Sequence, residues 1–168
     1  MLALSLILIG IILRVMPHAA NFTPVAAIAL FSGVYLKKKY ALFVPLILII
    51  VTDLIIGMHN VVFFTWGTFV LMTLMGFWVK QKKTVTRTVS ASLLSSILFY
   101  LTTNFGVWLA GWYTRDLKGL IHCYVMGLPF LRNFAVSTLI YTTVFFLTYE
   151  LIAKTVKDTK FSKVLLSS

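Results

Sequence analysis

The order of its apolar runs constrains this chain most. Six stretches, at about Leu2–Met16, Pro24–Leu36, Tyr40–Ile56, Val61–Val79, Val89–Ala110 and Leu131–Ala153, are separated by polar connections. A bilayer core about 30 Å thick requires roughly 20 helical residues, so the last three runs can cross it unaided. The second run, Pro24–Leu36, reaches only about 20 Å at a rise of about 1.5 Å per residue. It must start inside the membrane or be shielded by protein, because unpaired backbone cannot face lipid. Only 11% of the 168 residues are charged and 60% are hydrophobic, too little polar surface for a soluble domain. The predicted fold is therefore all-α: a polytopic membrane helical bundle, one integral domain over residues 1–168 with six transmembrane helices.

Cations orient the bundle. Lys37, Lys38, Lys39, Lys80, Lys82, Lys83, Arg87, Lys154, Lys157, Lys160 and Lys163 all fall in alternate connections or the tail, leaving Arg14, Arg115, Lys118 and Arg132, four of the fifteen, for the other side. The positive-inside rule then puts both chain ends and both Lys-rich turns in the cytoplasm, with 17–23, 57–60 and the long 111–130 connection outside. The formal charge of +11 is accounted for by these membrane-flanking clusters. They imply contact with anionic lipid and argue against a nucleic-acid partner. No Lys or Arg precedes the first apolar run, and Ala19 and Ala20 lie beyond Arg14 and Pro17, so that run reads as a retained helix rather than a cleaved signal.

Local signals refine the helices. Thr23 is placed to cap the second helix, with Pro24 at its first position. Ala29 and Gly33 form a small-xxx-small pair that permits close helix contact, as do Ser92 and Ser96. Pro45 removes a backbone donor from the third helix and should bend it. No internal repeat supports inverted-repeat transporter symmetry.

Polar residues other than the basic turn markers collect toward the outer ends of the helices, among them Arg14, His18, Asn21, Asp53, His59, Asn60, Asn104, Arg115, Asp116, His122, Cys123, Arg132 and Asn133. A one-sided collection of amides, imidazoles and charges predicts a polar cavity open to the outside. Arg14 and Asp53 are each costly to leave unpaired there, and an ion pair between them is expected, with direct ligand contact the alternative. The segment PHAANFTP (17–24) leads into a short helix whose amino end attracts anions; a plain self-capped connection explains it equally well. The predicted substrate-binding set is Arg14, His18, Asn21, Asp53, His59, Asn104, Trp108 and His122.

Cys123 cannot form an internal disulfide, and neighbouring His122 and Cys123 do not chelate a metal by themselves, so no metal or cofactor is predicted. No nucleophile-elbow, HExxH or GxxxxGK[ST] pattern is present, and the chain is not predicted to be an enzyme.

The stretches RVMPHAANFTPVAAIALFSG (14–33), VTDLIIG (51–57), LTTNFGVWL (101–109) and GLIHCYVMGLPFLRN (119–133) resemble a family of small uncharacterised bacterial six-helix membrane proteins. By fold that family is similar to the substrate-binding S components of energy-coupling-factor vitamin transporters. The resemblance implies residence in the bacterial cytoplasmic (inner) membrane. It also implies capture of a small, vitamin-like nutrient from the outer face, with a transmembrane coupling subunit and ATPases supplied by other chains. One departure concerns docking: such components carry an AxxxA-like face on helix one, whereas here Ala3 is followed four positions later by Ile7, and Ser5 by Ile9. Another surface, such as Ala29 and Gly33, would have to serve. The leading expectation is thus a membrane substrate-binding or permease protein. The rivals are a non-transporting assembly or scaffold protein, and an intramembrane enzyme using His122, Cys123 or Asp53.

Overall fold

The computed structural model describes residues 1–159 and 162–165. Its elements, in order, are α1 (Leu2–Val15), α2 (Val25–Tyr35), α3 (Lys38–Ala41), α4 (Phe43–Ile56), α5 (Val62–Gln81), α6 (Val85–Leu109), α7 (Leu117–Val156) and α8 (Ser162–Leu165). No strand occurs among the described residues. Four units are long and apolar enough to cross a membrane: Lys38–Ile56, Val62–Gln81, Val85–Leu109 and Leu117–Val156. Their outward faces carry large apolar side chains such as Leu54, Ile55, Leu94 and Leu147, the surface that lipid requires.

Helix α2 explains how a short apolar helix is tolerated. All eleven of its residues are buried, enclosed chiefly by α5 and α7 and flanked by α1 and α4. Its backbone touches α5 directly: a Cβ on Gly33 would meet Thr73 O and lie 2.8 Å from the Gly76 Cα. Because Ala29 and Gly33 are consumed inside the bundle, they cannot form the alternative docking face expected from the sequence. Ala3 and Ile7 of α1 are likewise fully buried.

Three further expectations are corrected. Thr23 does not cap α2: the cap position belongs to Pro24, and Thr23 Oγ1 has no hydrogen-bond partner. Pro45 does more than bend its helix. The run is broken at Leu42, between α3 and α4, since the proline ring cannot sit over the Ala41 carbonyl four residues earlier. The outer connection is also much shorter than 111–130, because α7 starts at Leu117 and runs through Pro129 for 40 residues. Asp116 caps it by accepting the Gly119 N–H at 2.6 Å. Cys123 and Gly127, both buried, lie against Asn104 and let α7 pack close to α6, while Gly119 leaves room for Thr114 of the preceding turn. Pro129 costs that helix a single backbone donor.

Buried hydroxyls of α6 satisfy themselves within the helix, Ser92 on Thr88 O and Ser96 on Ser92 O, both at 2.9 Å. At the lysine-rich end, Tyr35 Oη donates to Glu150 Oε1 at 2.7 Å, Lys83 pairs with the same carboxylate, and Lys80 Nζ donates to Leu36 O at 3.2 Å. These contacts gather the ends of α2 and α7 and the α5–α6 turn at one end of the bundle. The Met1 amino group joins them through Leu165 O at 3.1 Å. Lys160 and the side chain of Lys163, counted with this cluster from the sequence, lie outside the described residues.

Candidate substrate cavity

The opposite end of the bundle, where α2 begins, is open. Arg14 ends α1 there, the 16–24 strap crosses to α2, His59 sits in the α4–α5 turn, and α6 and α7 close the far side. The strap is fastened from α7, where Asn133 Nδ2 donates to Ala20 O at 3.0 Å and Ser137 Oγ to Thr23 O at 3.3 Å. Its tightest bend is at Asn21, whose φ of 58° is left-handed backbone that asparagine tolerates better than most residues. The two ring nitrogens of His18 each lie 3.0 Å from a backbone carbonyl, of Ala19 and of Arg14.

Beneath the strap lies a cavity of about 750 Å³. Phe99, Thr103 and Val107 line it at four-residue intervals along α6, so it reaches about 12 Å into the bundle. Its inner wall is Val25, Phe69 and Phe99, with Thr65 and Thr103 between; toward the mouth stand His18, Asn21, His59, Trp112 and Tyr113. The aromatic floor is rigid, since Phe99 stacks on Phe134 at 4.2 Å and leans on Phe69 at 5.9 Å. Asn104 forms part of the α6 wall, its Nδ2 donating to Tyr100 O at 2.8 Å. Gly127 leaves the room its carboxamide needs, because a Cβ there would lie 2.5 Å from Asn104 Oδ1. Cys123, beside it, is buried with Sγ 3.3 Å from Asn104 O.

Arg14 divides its guanidinium between two tasks. Nη2 donates to Asp53 Oδ1, while Nη1 is buried without a partner. Asp53, only 2% exposed, is held on its other oxygen by Trp66 Nε1 at 2.7 Å. Arg14, Asp53 and Trp66 therefore tie α1, α4 and α5 together, with the carboxylate behind the cavity wall rather than in it. Among the described residues five buried side-chain nitrogen or oxygen atoms lack a partner. Three of them, Arg14 Nη1, Thr23 Oγ1 and His59 Nδ1, belong to residues lining this cavity. No group of three His, Cys, Asp or Glu that could hold a metal ion occurs among the described residues.

Of the residues predicted from sequence, Arg14, His18, Asn21, His59 and Asn104 line the cavity, whereas Asp53, Trp108 and His122 do not. Trp108 follows the cavity-lining Val107 and is rotated about 100° from it around α6; its Nε1 donates to Thr114 O at 2.9 Å and fastens the α6–α7 turn. His122 is exposed, its ring 5.4 Å from that of Tyr113. The same helical rotation separates it from buried Cys123. Sequence reasoning overlooked Trp66, embedded in an apolar run; an indole N–H thirteen residues beyond a membrane carboxylate was the available signal.

Residues 1–161 match the family described as a family of unknown function, DUF6580. The chain belongs to that family. The match takes in every cavity-lining residue, from Arg14 to Phe130. No curated protein and no solved structure matches the chain.

Proposed function

We propose that this protein binds a small nutrient, vitamin-like in size, and serves its uptake from the outer face of a bacterial cytoplasmic membrane. The observation that carries the reading is the cavity itself, lined by an arginine, two histidines and two asparagines above an aromatic floor. Its volume of about 750 Å³ falls within the roughly 300–1,000 Å³ typical of small-molecule sites, and such sites combine apolar walls with a few convergent polar groups. With α3 and α4 read as one broken span, six membrane helices and the positive-inside rule support a topology in which both described ends lie with the lysine-rich turns in the cytoplasm. The cavity then opens outward. Energy from a coupling subunit and ATPases on other chains is proposed on the motif resemblance to S components.

Uptake of radiolabelled candidate vitamins by cells expressing the protein tests this reading. Val107→Trp, which puts an indole into the cavity, and Asn104→Ala, which alters its wall, should lower uptake with expression and helix content near normal. Trp78→Ala at the lysine-rich end should leave it unchanged. Equal uptake by cavity variants and wild type contradicts the proposal, and stable capture of a protein partner without any small molecule makes the scaffold reading the better one.

A further inference from the structure

We infer that the cavity accepts a small monocarboxylate with a ring-shaped apolar body, its ring inward against Phe69 and Phe99 and its carboxylate at Arg14 Nη1. The inference rests on the reading of the cavity as a nutrient site and adds the chemical class and orientation of the ligand. The cavity lining contains a guanidinium and no Asp or Glu. A ligand ammonium would thus face Arg14 with no carboxylate of the wall to receive it. Asp53 is already engaged on both oxygens, by Arg14 and Trp66, so it fixes the guanidinium without competing at the free nitrogen.

Nη1 is a buried donor with no partner, and a carboxylate is the acceptor that suits a guanidinium edge best. Thr23 and His59 line the same cavity and each carries a buried, unpartnered polar atom, Oγ1 and Nδ1; the hydroxyl, and the imidazole in its Nδ1–H tautomer, can donate to the remaining lone pairs of a carboxylate. Deeper in, Val25, Phe69 and Phe99 offer no charge, and the Phe99–Phe134 stack presents a flat, rigid floor to a ring.

The test compares carboxylate and carboxamide partners of the same shape, which differ in charge: benzoate with benzamide, nicotinate with nicotinamide, and indole-3-acetate with indole-3-acetamide. Each is titrated calorimetrically onto the purified full chain in lipid nanodiscs. At least one carboxylate should bind about tenfold or more tightly than its amide, as a charge-assisted hydrogen bond implies. Arg14→Lys retains a cation for Asp53 but has no second fork nitrogen, and should erase that preference while keeping the thermal midpoint near wild type. If Arg14→Lys misfolds, Arg14→Gln/Asp53→Asn removes both charges together and should erase the preference in the same way. A preference that survives either variant overturns the inference. So do equal affinities for acid and amide, and so does failure of all six probes to bind at millimolar concentration. Amides and acids that bind equally and are both lost in Val107→Trp would leave the nutrient-site reading standing while the carboxylate assignment fails.

Discussion

Replacing Gly33 by alanine tests the account of why α2 can lie wholly inside the bundle. The added Cβ would lie 2.8 Å from the Gly76 Cα and closer still to Thr73 O, whereas nonbonded carbons settle at about 3.5–4.0 Å. Both neighbours are backbone, so no rotamer change relieves the overlap, and α2 and α5 must part by about 1 Å. A gap of that size forfeits a quarter to a half of the dispersion energy along the seam, and overpacking of this kind typically costs about 1–3 kcal/mol. The upper half of that range is expected, because α2 is enclosed on every side and has nowhere to retreat. Gly67, on α5 as well, supplies the control: a Cβ there meets nothing within 4 Å, so Gly67→Ala should be neutral or slightly stabilising. Gly33→Ala/Gly76→Ala should lose less than the two singles summed, since the first substitution already opens the seam that the second would occupy. Reversible unfolding in mixed micelles measures all four variants. Equal stability of Gly33→Ala and Gly67→Ala would refute the backbone-contact argument.

Other perturbations follow from the same structure. Arg14 and Asp53 side chains are 13% and 3% exposed, so Asp53→Asn or Arg14→Gln alone should cost about 3–5 kcal/mol by stranding a buried charge; the double variant should lose less than the sum, and strict additivity in a melt-based cycle would dissolve the pairing. Asp116 is held below its ordinary value of 3.8 by the Gly119 N–H and then the Thr114 hydroxyl. A depressed folded pKa means its stabilisation is present above about pH 4 and is lost as pH falls through the folded value. Melts between neutral and strongly acidic pH should show this loss in wild type and not in Asp116→Asn; identical pH profiles would remove the capping role. Impermeant labelling of intact cells should reach reporters at Asn60 and Lys118 but not at Lys38 or Lys83, and labelling of Lys118 only from the cytoplasm would invert the topology.

The helical bundle was legible because lipid imposes a simple rule: apolar runs become helices, and basic connections mark one end. Helix α2 showed its limits as well. Ala29 and Gly33 announced close packing, yet the sequence could not say whether the partner was α5 or another protein. The 111–130 stretch reads as a long connection in sequence, yet most of it is helix: Gly119 accommodates Thr114 of the turn, Gly127 the α6 contact, and Pro129 removes only one donor. In the site, charge complementarity made Arg14 and Asp53 a recognisable pair. The third member, Trp66, was hidden because an indole in an apolar run counts equally well as lipid-facing. Trp108 and His122 belong to the expected layer along the chain but do not line the cavity, since layer follows from distance along the chain and face depends on how neighbouring helices are rotated.

Mass spectrometry of small molecules retained by the gently purified protein tests the central claim most directly. Wild type and Gly67→Ala should carry the same compound in near-stoichiometric amount, and Val107→Trp, folded but with an indole obstructing its cavity, should carry far less. An empty wild-type protein, or a compound retained equally by Val107→Trp, would contradict the assignment of this cavity as the binding site.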